Sequence, residues 1–140
     1  MKKELCKLFS VIALSLLATP TFAGIAVIVH PDNNSQIDKN DIRAIYLAKT
    51  NSFDGGAKAT PVDVDNNDDM KKIFAKQVLR KSVSSLNSYW SRMIFSARGN
   101  PPKSMSMAGV KAKVANDKSA IGYIDSSMVD GSVKVVLTIN

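Results

Sequence analysis

The sequence predicts an α/β fold: a single three-layer-like lobe in which a small mixed β-sheet is flanked by about four helices. Three observations predict it. Residues 25–29, "IAVIV", form a continuous, mostly β-branched run, the pattern of a strand buried on both faces and typical of a parallel sheet. Between residues 83 and 97, apolar side chains recur every three or four positions, the period of an amphipathic helix. Two further apolar runs, "AIGYI" at 120–124 and "VKVVLTI" at 133–139, return the chain to strand near its end.

The elements follow in order. "HPDNNS" at 30–35 breaks the chain after the first strand. Asp38 is placed to cap the next helix, whose inward face is Ile42, Ile45 and Tyr46. "KTNSFDGGAKAT" at 49–60 is a polar loop with a turn at Gly55–Gly56. "PVDV" at 61–64 is a short strand in which valines alternate with carboxylates. A second helix runs from about Asp68 to Arg80, with Met70, Ile73, Phe74 and Val78 inward. The third follows Ser82 and turns Val83, Leu86, Trp90, Met93, Ile94 and Ala97 inward. "RGNPPKS" at 98–104 ends it, and a fourth helix carries Met107, Val110 and Val114. The expected order is β-α-β-α-α-α-β-β. The sequence shows no internal repeat, low-complexity tract or linker.

Residues 1–23 read as a secretory signal peptide. Lys2, Lys3 and Lys7 precede the apolar run 8–18, and Pro20 and the small-residue pattern ending at Ala23 follow it. The run is short of the about 20 residues that a membrane span needs. Residues 24–140 are then expected as one exported, periplasmic domain with no stable membrane insertion after cleavage. Cys6 leaves with the signal, so no thiol chemistry and no disulfide remain, although the compartment permits disulfides. The whole chain has a formal charge of +7, which becomes +5 without Lys2, Lys3, Lys7 and Glu4. The lysines are spread along the chain with no aromatic ladder among them, a pattern of solubility and weak attraction for anions. No nucleic-acid partner is expected.

Catalytic chemistry finds little support. His30 is the only histidine and reads as a strand-end residue beside Pro31. No serine stands in a Gly-x-Ser-x-Gly elbow, and no phosphate-cradling glycine motif is present. A zinc site lacks Cys and His ligands. Four carboxylates crowd one stretch, "PVDVDNNDDMKKIF" at 61–74: Asp63, Asp65, Asp68 and Asp69. Asp63, Asp65 and Asn67 imitate the first half of a calcium loop, but no glycine makes the sharp turn, and Phe74 stands where the closing Glu belongs. Asp68 and Asp69 instead suit the first turn of a helix, capped by Asn66 or Asn67. No enzyme activity, metal or cofactor is expected.

Several segments together carry a resemblance. "IRAIYLAKTNSFDGGAKATPVDV", "IFAKQVL", "YWSRMIFSARGNPPKS" and "SAIGYID" are similar, in order and over nearly all of residues 24–140, to the phosphate-type periplasmic substrate-binding proteins of bacterial ABC transporters. Ala48 and Ser119 replace glycines common in that family. The resemblance implies a short, single-lobe relative with a periplasmic-binding-protein-like lobe. It implies a non-enzymatic solute-binding module for phosphate or another small anion, with an ABC permease or an envelope protein as partner. The ligand site it implies is the helix-start loop, Asp65, Asn66, Asn67 and Asp68, whose backbone N–H groups can face an anion. Asp63 falls near the family's arginine and "DNNDD" near its Ser-Gly-Thr turn, so the side chains oppose an anion there. The alternative is a periplasmic interaction module that kept the lobe and lost anion binding.

Overall fold

The computed structural model describes residues 24–65 and 68–140, apart from the side chain of Asp68. The signal segment, Asn66 and Asn67 lie outside the described residues. The elements are β1 (Ile25–Val29), α1 (Lys39–Tyr46), β2 (Thr60–Val64), α2 (Asp68–Phe74, continued by a π turn over Ala75–Leu79), α3 (Val83–Phe95), β3 (Lys103–Met105), α4 (Met107–Asn116), β4 (Ala120–Asp125) and β5 (Lys134–Ile139).

The five strands form one mixed sheet in the order β3-β2-β4-β1-β5. β2 runs parallel to β3 and β4, whereas β1 runs antiparallel to β4 and β5. β1 is buried on both faces as its composition predicts, but it is not a parallel-sheet strand. Both-face burial requires layers above and below, and these arise with either strand direction.

The layers are fixed by alternation along β4. A methyl group at Gly122 would overlap Val110 of α4 and press on Val62 and Val114, so this face of the sheet lies directly under α4. Tyr123 points the other way, stacked on Phe74 of α2 with ring centroids 3.9 Å apart and planes at 11°. Tyr46 of α1 meets the Phe74 ring edge-on at 4.9 Å, and its hydroxyl donates to the carbonyls of Val62 (2.8 Å) and Ile121 (3.2 Å). One helix therefore covers one face, and α1 and α2 cover the other.

Local signals set the helix starts. Asp38 and Asp41 exchange backbone N–H bonds in a reciprocal capping box. Ser82 and Ser106 cap α3 and α4 through the N–H groups of Ser85 and Gly109. Ala48 takes the left-handed φ of 56° that glycine adopts most cheaply. Asp117 accepts the hydroxyl and N–H of Ser119 and pairs with Lys113 at 2.9 Å, which holds its carboxyl down at about 2. These bonds fix the turn from α4 into β4.

The third helix departs from expectation. Leu86 and Trp90 are buried, but Ile94 and Ala97 are exposed, and Phe95 is 96% exposed. The apolar period continues past the end of the layer beneath it. β3 was not expected either: its three residues are polar or half-exposed, and it forms because β2 offers an open edge.

The close approach at Gly122 gives a direct test. Gly122→Ala should destabilise the protein by about 1–3 kcal/mol, because neither the α4 valines nor the sheet backbone can withdraw freely. Urea unfolding measures this; a wild-type midpoint for the variant would show that α4 does not seat against β4 as described.

Candidate functional site

Ligands of open α/β sheets tend to sit beyond the carboxyl ends of the parallel strands. Here β2 and β3 end side by side, with Asp63 paired to Ser104 and Val64 to Met105. A cavity of ≈ 400 Å³ opens at this place. Its polar lining is Asp63, Lys71, Asn87, Ser91 and Ser104; its apolar walls are Leu86, Trp90, Ile94 and the Pro101–Pro102 pair. A second cavity, of ≈ 490 Å³, lies on the other side of Trp90 and the same prolines.

Asp63 is the central polar group. Strand alternation turns Val62 and Val64 to the α4 face and leaves Asp63 on the aromatic face. Its side chain is only 14% exposed. Oδ1 accepts the Tyr123 hydroxyl and the N–H of Val64. Oδ2 faces Lys71 Nζ at 3.5 Å. A buried carboxylate without such partners would be costly; this one has a hydroxyl, an amide and a cation.

The same arrangement acts on the tyrosines. Burial, and after it the Asp63 charge, push the Tyr123 and Tyr46 hydroxyls well above their ordinary values. Both remain hydrogen-bond donors throughout the physiological range. They hold the sheet and the carboxylate in place and cannot serve as bases.

The helix-start loop expected to hold a ligand lies only partly within the described residues. Asp65 directly follows β2 with its side chain exposed, and its N–H donates to the Met105 carbonyl at 2.8 Å. Asn66, Asn67 and the Asp68 side chain lie outside the described residues. What the sequence reading missed is Lys71. A cation does stand beside the end of β2, but it comes from the helix and not from the strand. The signal was present: Lys71 lies three residues before Phe74, on the same side of α2. Tyr123 was also missed, although it is the one hydroxyl in the apolar run "AIGYI". His30 is a half-buried strand-end residue whose Nδ1 accepts the Asp32 N–H at 3.0 Å. Among the described residues, no group of three or more metal-binding side chains occurs, and no helix is long and apolar enough to cross a membrane.

Comparison with known proteins gives the fold a context. No family model and no curated protein matches the chain. Solved structures similar to it include the following three. One, assigned as a phosphate ABC transporter substrate-binding protein from Clostridium perfringens and holding phosphate, is 23% identical with a TM-score of 0.55. It is matched over 81% of this chain and 44% of its own length. An ABC-type phosphate transport receptor from Vibrio cholerae is 18% identical, with a TM-score of 0.53 over 81% of this chain and 45% of the other. The third, assigned as a phosphate binding protein from Planctomyces limnophilus, is 15% identical, with a TM-score of 0.58 over 81% of this chain and 40% of its own. The chain thus has the fold of one part of these proteins and spans less than half their length.

The Tyr123–Asp63 pair sets an alkaline limit. Tyrosines of the unfolded chain ionise near pH 10. Tyr123 and Tyr46 of the folded chain are held neutral well above it, so the stability these two contribute is full below about pH 10 and falls as the pH rises further. Tyr123→Phe should cost about 1–3 kcal/mol at neutral pH by removing the donor to a buried carboxylate, and should flatten the alkaline loss. Urea unfolding of both proteins on either side of about pH 10 tests this. An unchanged alkaline slope in the variant would remove Tyr123 from the account.

Proposed function

We propose that this chain is a non-catalytic solute-binding module, exported to the periplasm with residues 1–23 removed, and that residues 24–140 act as one domain. Its ligand is a small, protonated oxyanion such as monohydrogen phosphate, held at the ends of β2 and β3. The observation that carries the reading is the Asp63–Lys71 pair at the cavity wall. Lys71 offsets the charge of Asp63, so the pair presents one acceptor and one cationic donor with no net charge. A hydrogen-bearing oxyanion complements both: its O–H donates to Asp63 Oδ2, and an anionic oxygen accepts from Lys71 Nζ. A fully ionised anion such as sulfate would meet Asp63 with no proton to share, and is disfavoured. The fold shared with phosphate-binding proteins supports the ligand class, and the segment Asp65, Asn66, Asn67 and Asp68 is proposed to supply further contacts beside the cavity. Delivery to an ABC permease is the role that goes with this reading.

Isothermal titration with phosphate and sulfate tests it. Phosphate should bind with measurable heat and sulfate more weakly, and Lys71→Gln should weaken phosphate by about tenfold or more. Absence of heat with wild-type protein at millimolar phosphate, or equal affinity for the two anions, would contradict the proposal.

A second reading, an interaction module docking an envelope protein or another copy, is favoured by one observation. Ile94 (52% exposed) lines the cavity, and Phe95 beside it is 96% exposed. Apolar side chains of this size displayed together suit a covering partner. Light scattering should then show self-association that Phe95→Ser abolishes; a strictly monomeric protein at high concentration would exclude a second copy as that partner.

A further inference from the structure

A second feature lies outside the cavity at Asp63. Lys72 and Lys76 stand four residues apart, one turn above the other, along α2 and its π turn. Arg80 and Lys81 follow at the end of that segment. These four cations, with Ser82 and Val83, line a concavity of ≈ 680 Å³. Among the described residues, no carboxylate is part of that lining. Elsewhere Lys71, Lys111, Lys113 and Lys118 each have an aspartate within 4.0 Å, but no described carboxylate lies that close to any of these four. Like charges gathered in this way repel one another, and nothing described offsets the cost.

The backbone keeps the cluster together. Arg80 holds a left-handed φ of 56°, a conformation that glycine or asparagine adopts at lower cost. Its N–H donates to the Ala75 carbonyl, and so does the N–H of Lys81 at 3.0 Å. The π turn and this reversal bring Arg80 and Lys81 back beside Lys76. Lys81 Nζ is further positioned 5.2 Å from the centre of the Tyr89 ring. Ser82 is already engaged, accepting the Ser85 N–H at 3.1 Å and donating to Ser85 Oγ at 3.0 Å. The charged side chains are therefore the groups that could hold a ligand, with Val83 and the lysine stems as an apolar floor.

We propose that this concavity is a second anion site, distinct from the cavity at Asp63, for a multiply charged phosphate group: a phosphomonoester or a diphosphate. A phosphomonoester carries close to two negative charges at neutral pH, with three acceptor oxygens that cations on several sides can share. No described carboxylate lines the site, so the ligand needs no proton of its own to meet one, in contrast to the ligand proposed at Asp63. The group can arrive free in solution or on a lipid headgroup, and the two sources are separable.

The test titrates inorganic pyrophosphate, and separately vesicles containing phosphatidic acid against vesicles of phosphatidylcholine alone, into the protein at about 0.1 M salt. Backbone amide spectra follow residues 72–83. The variants are Lys76→Gln/Arg80→Gln and, as one that leaves the turn untouched, Lys72→Gln. Lys118→Gln removes the same charge elsewhere and serves as the control. Pyrophosphate binding weakened about tenfold by the double variant, less by Lys72→Gln and not by the control, supports the site with a free ligand. Binding only to phosphatidic acid vesicles, with the same ranking of variants, supports it with a lipid-borne ligand. Binding of neither probe, or a loss with Lys118→Gln as large as with the double variant, overturns it. Because the readout is at residues 72–83 and not at Asp63 or Lys71, failure here leaves the cavity proposal standing, and the reverse.

Discussion

The hydrogen bond from Tyr123 to Asp63 is the contact on which the rest of the arrangement depends. It ties two parallel neighbours, β4 and β2, through their side chains, on the face where α1 and α2 pack. Phe74 lies stacked against Tyr123, so the position of α2 follows from that of the tyrosine. Lys71, one turn earlier on α2, is thereby brought to the far oxygen of the same carboxylate. One buried acid thus registers a strand pair, locates a helix and supplies the polar edge of a cavity. Its desolvation is offset by a hydroxyl, an amide and an ammonium, and removing any one partner leaves a strained remainder.

This changes what the acidic stretch means. As sequence, Asp63 and Asp65 look like charges that would repel an anion from a site resembling one for phosphate. In the folded chain the two differ. Asp65 is exposed at the end of the strand, whereas Asp63 is enclosed and matched by a cation. The site is better described as a neutral donor–acceptor pair than as an acidic patch. A separate group of four cations, Lys72, Lys76, Arg80 and Lys81, stands along α2 and the turn into α3.

Much of the fold was legible because it is written at short range. Asp38 and Ser82 are side chains that cap helices within three residues, and their effect needs no knowledge of the rest of the chain. The buried faces of α1 and α2 were legible from spacing for the same reason. Strand direction was not: a run such as "IAVIV" records that both faces are covered and is silent about its neighbours' orientation. Nor could spacing show where a helix outruns its partner, so Ile94 and Ala97 seemed to belong to a core that ends before them. β3 has almost no apolar signal, since its pairing is dictated by the open edge of β2. In the site, Asp63 stood out by its charge. Tyr123 did not, because its contact with Asp63 spans 60 residues of sequence, and Lys71 did not, because it reaches the same carboxylate only once α2 is seated on Tyr123.

The central claim is that the cavity at Asp63 and Lys71 receives a small protonated oxyanion. Trp90 is the only tryptophan in the chain, is 8% exposed, and lines that cavity. Its fluorescence during a phosphate titration is therefore the most direct measurement. A saturable change with phosphate, much reduced with sulfate and lost in Lys71→Gln, is the result this account predicts. A flat signal through millimolar phosphate, or a change that persists undiminished in Lys71→Gln, would contradict it.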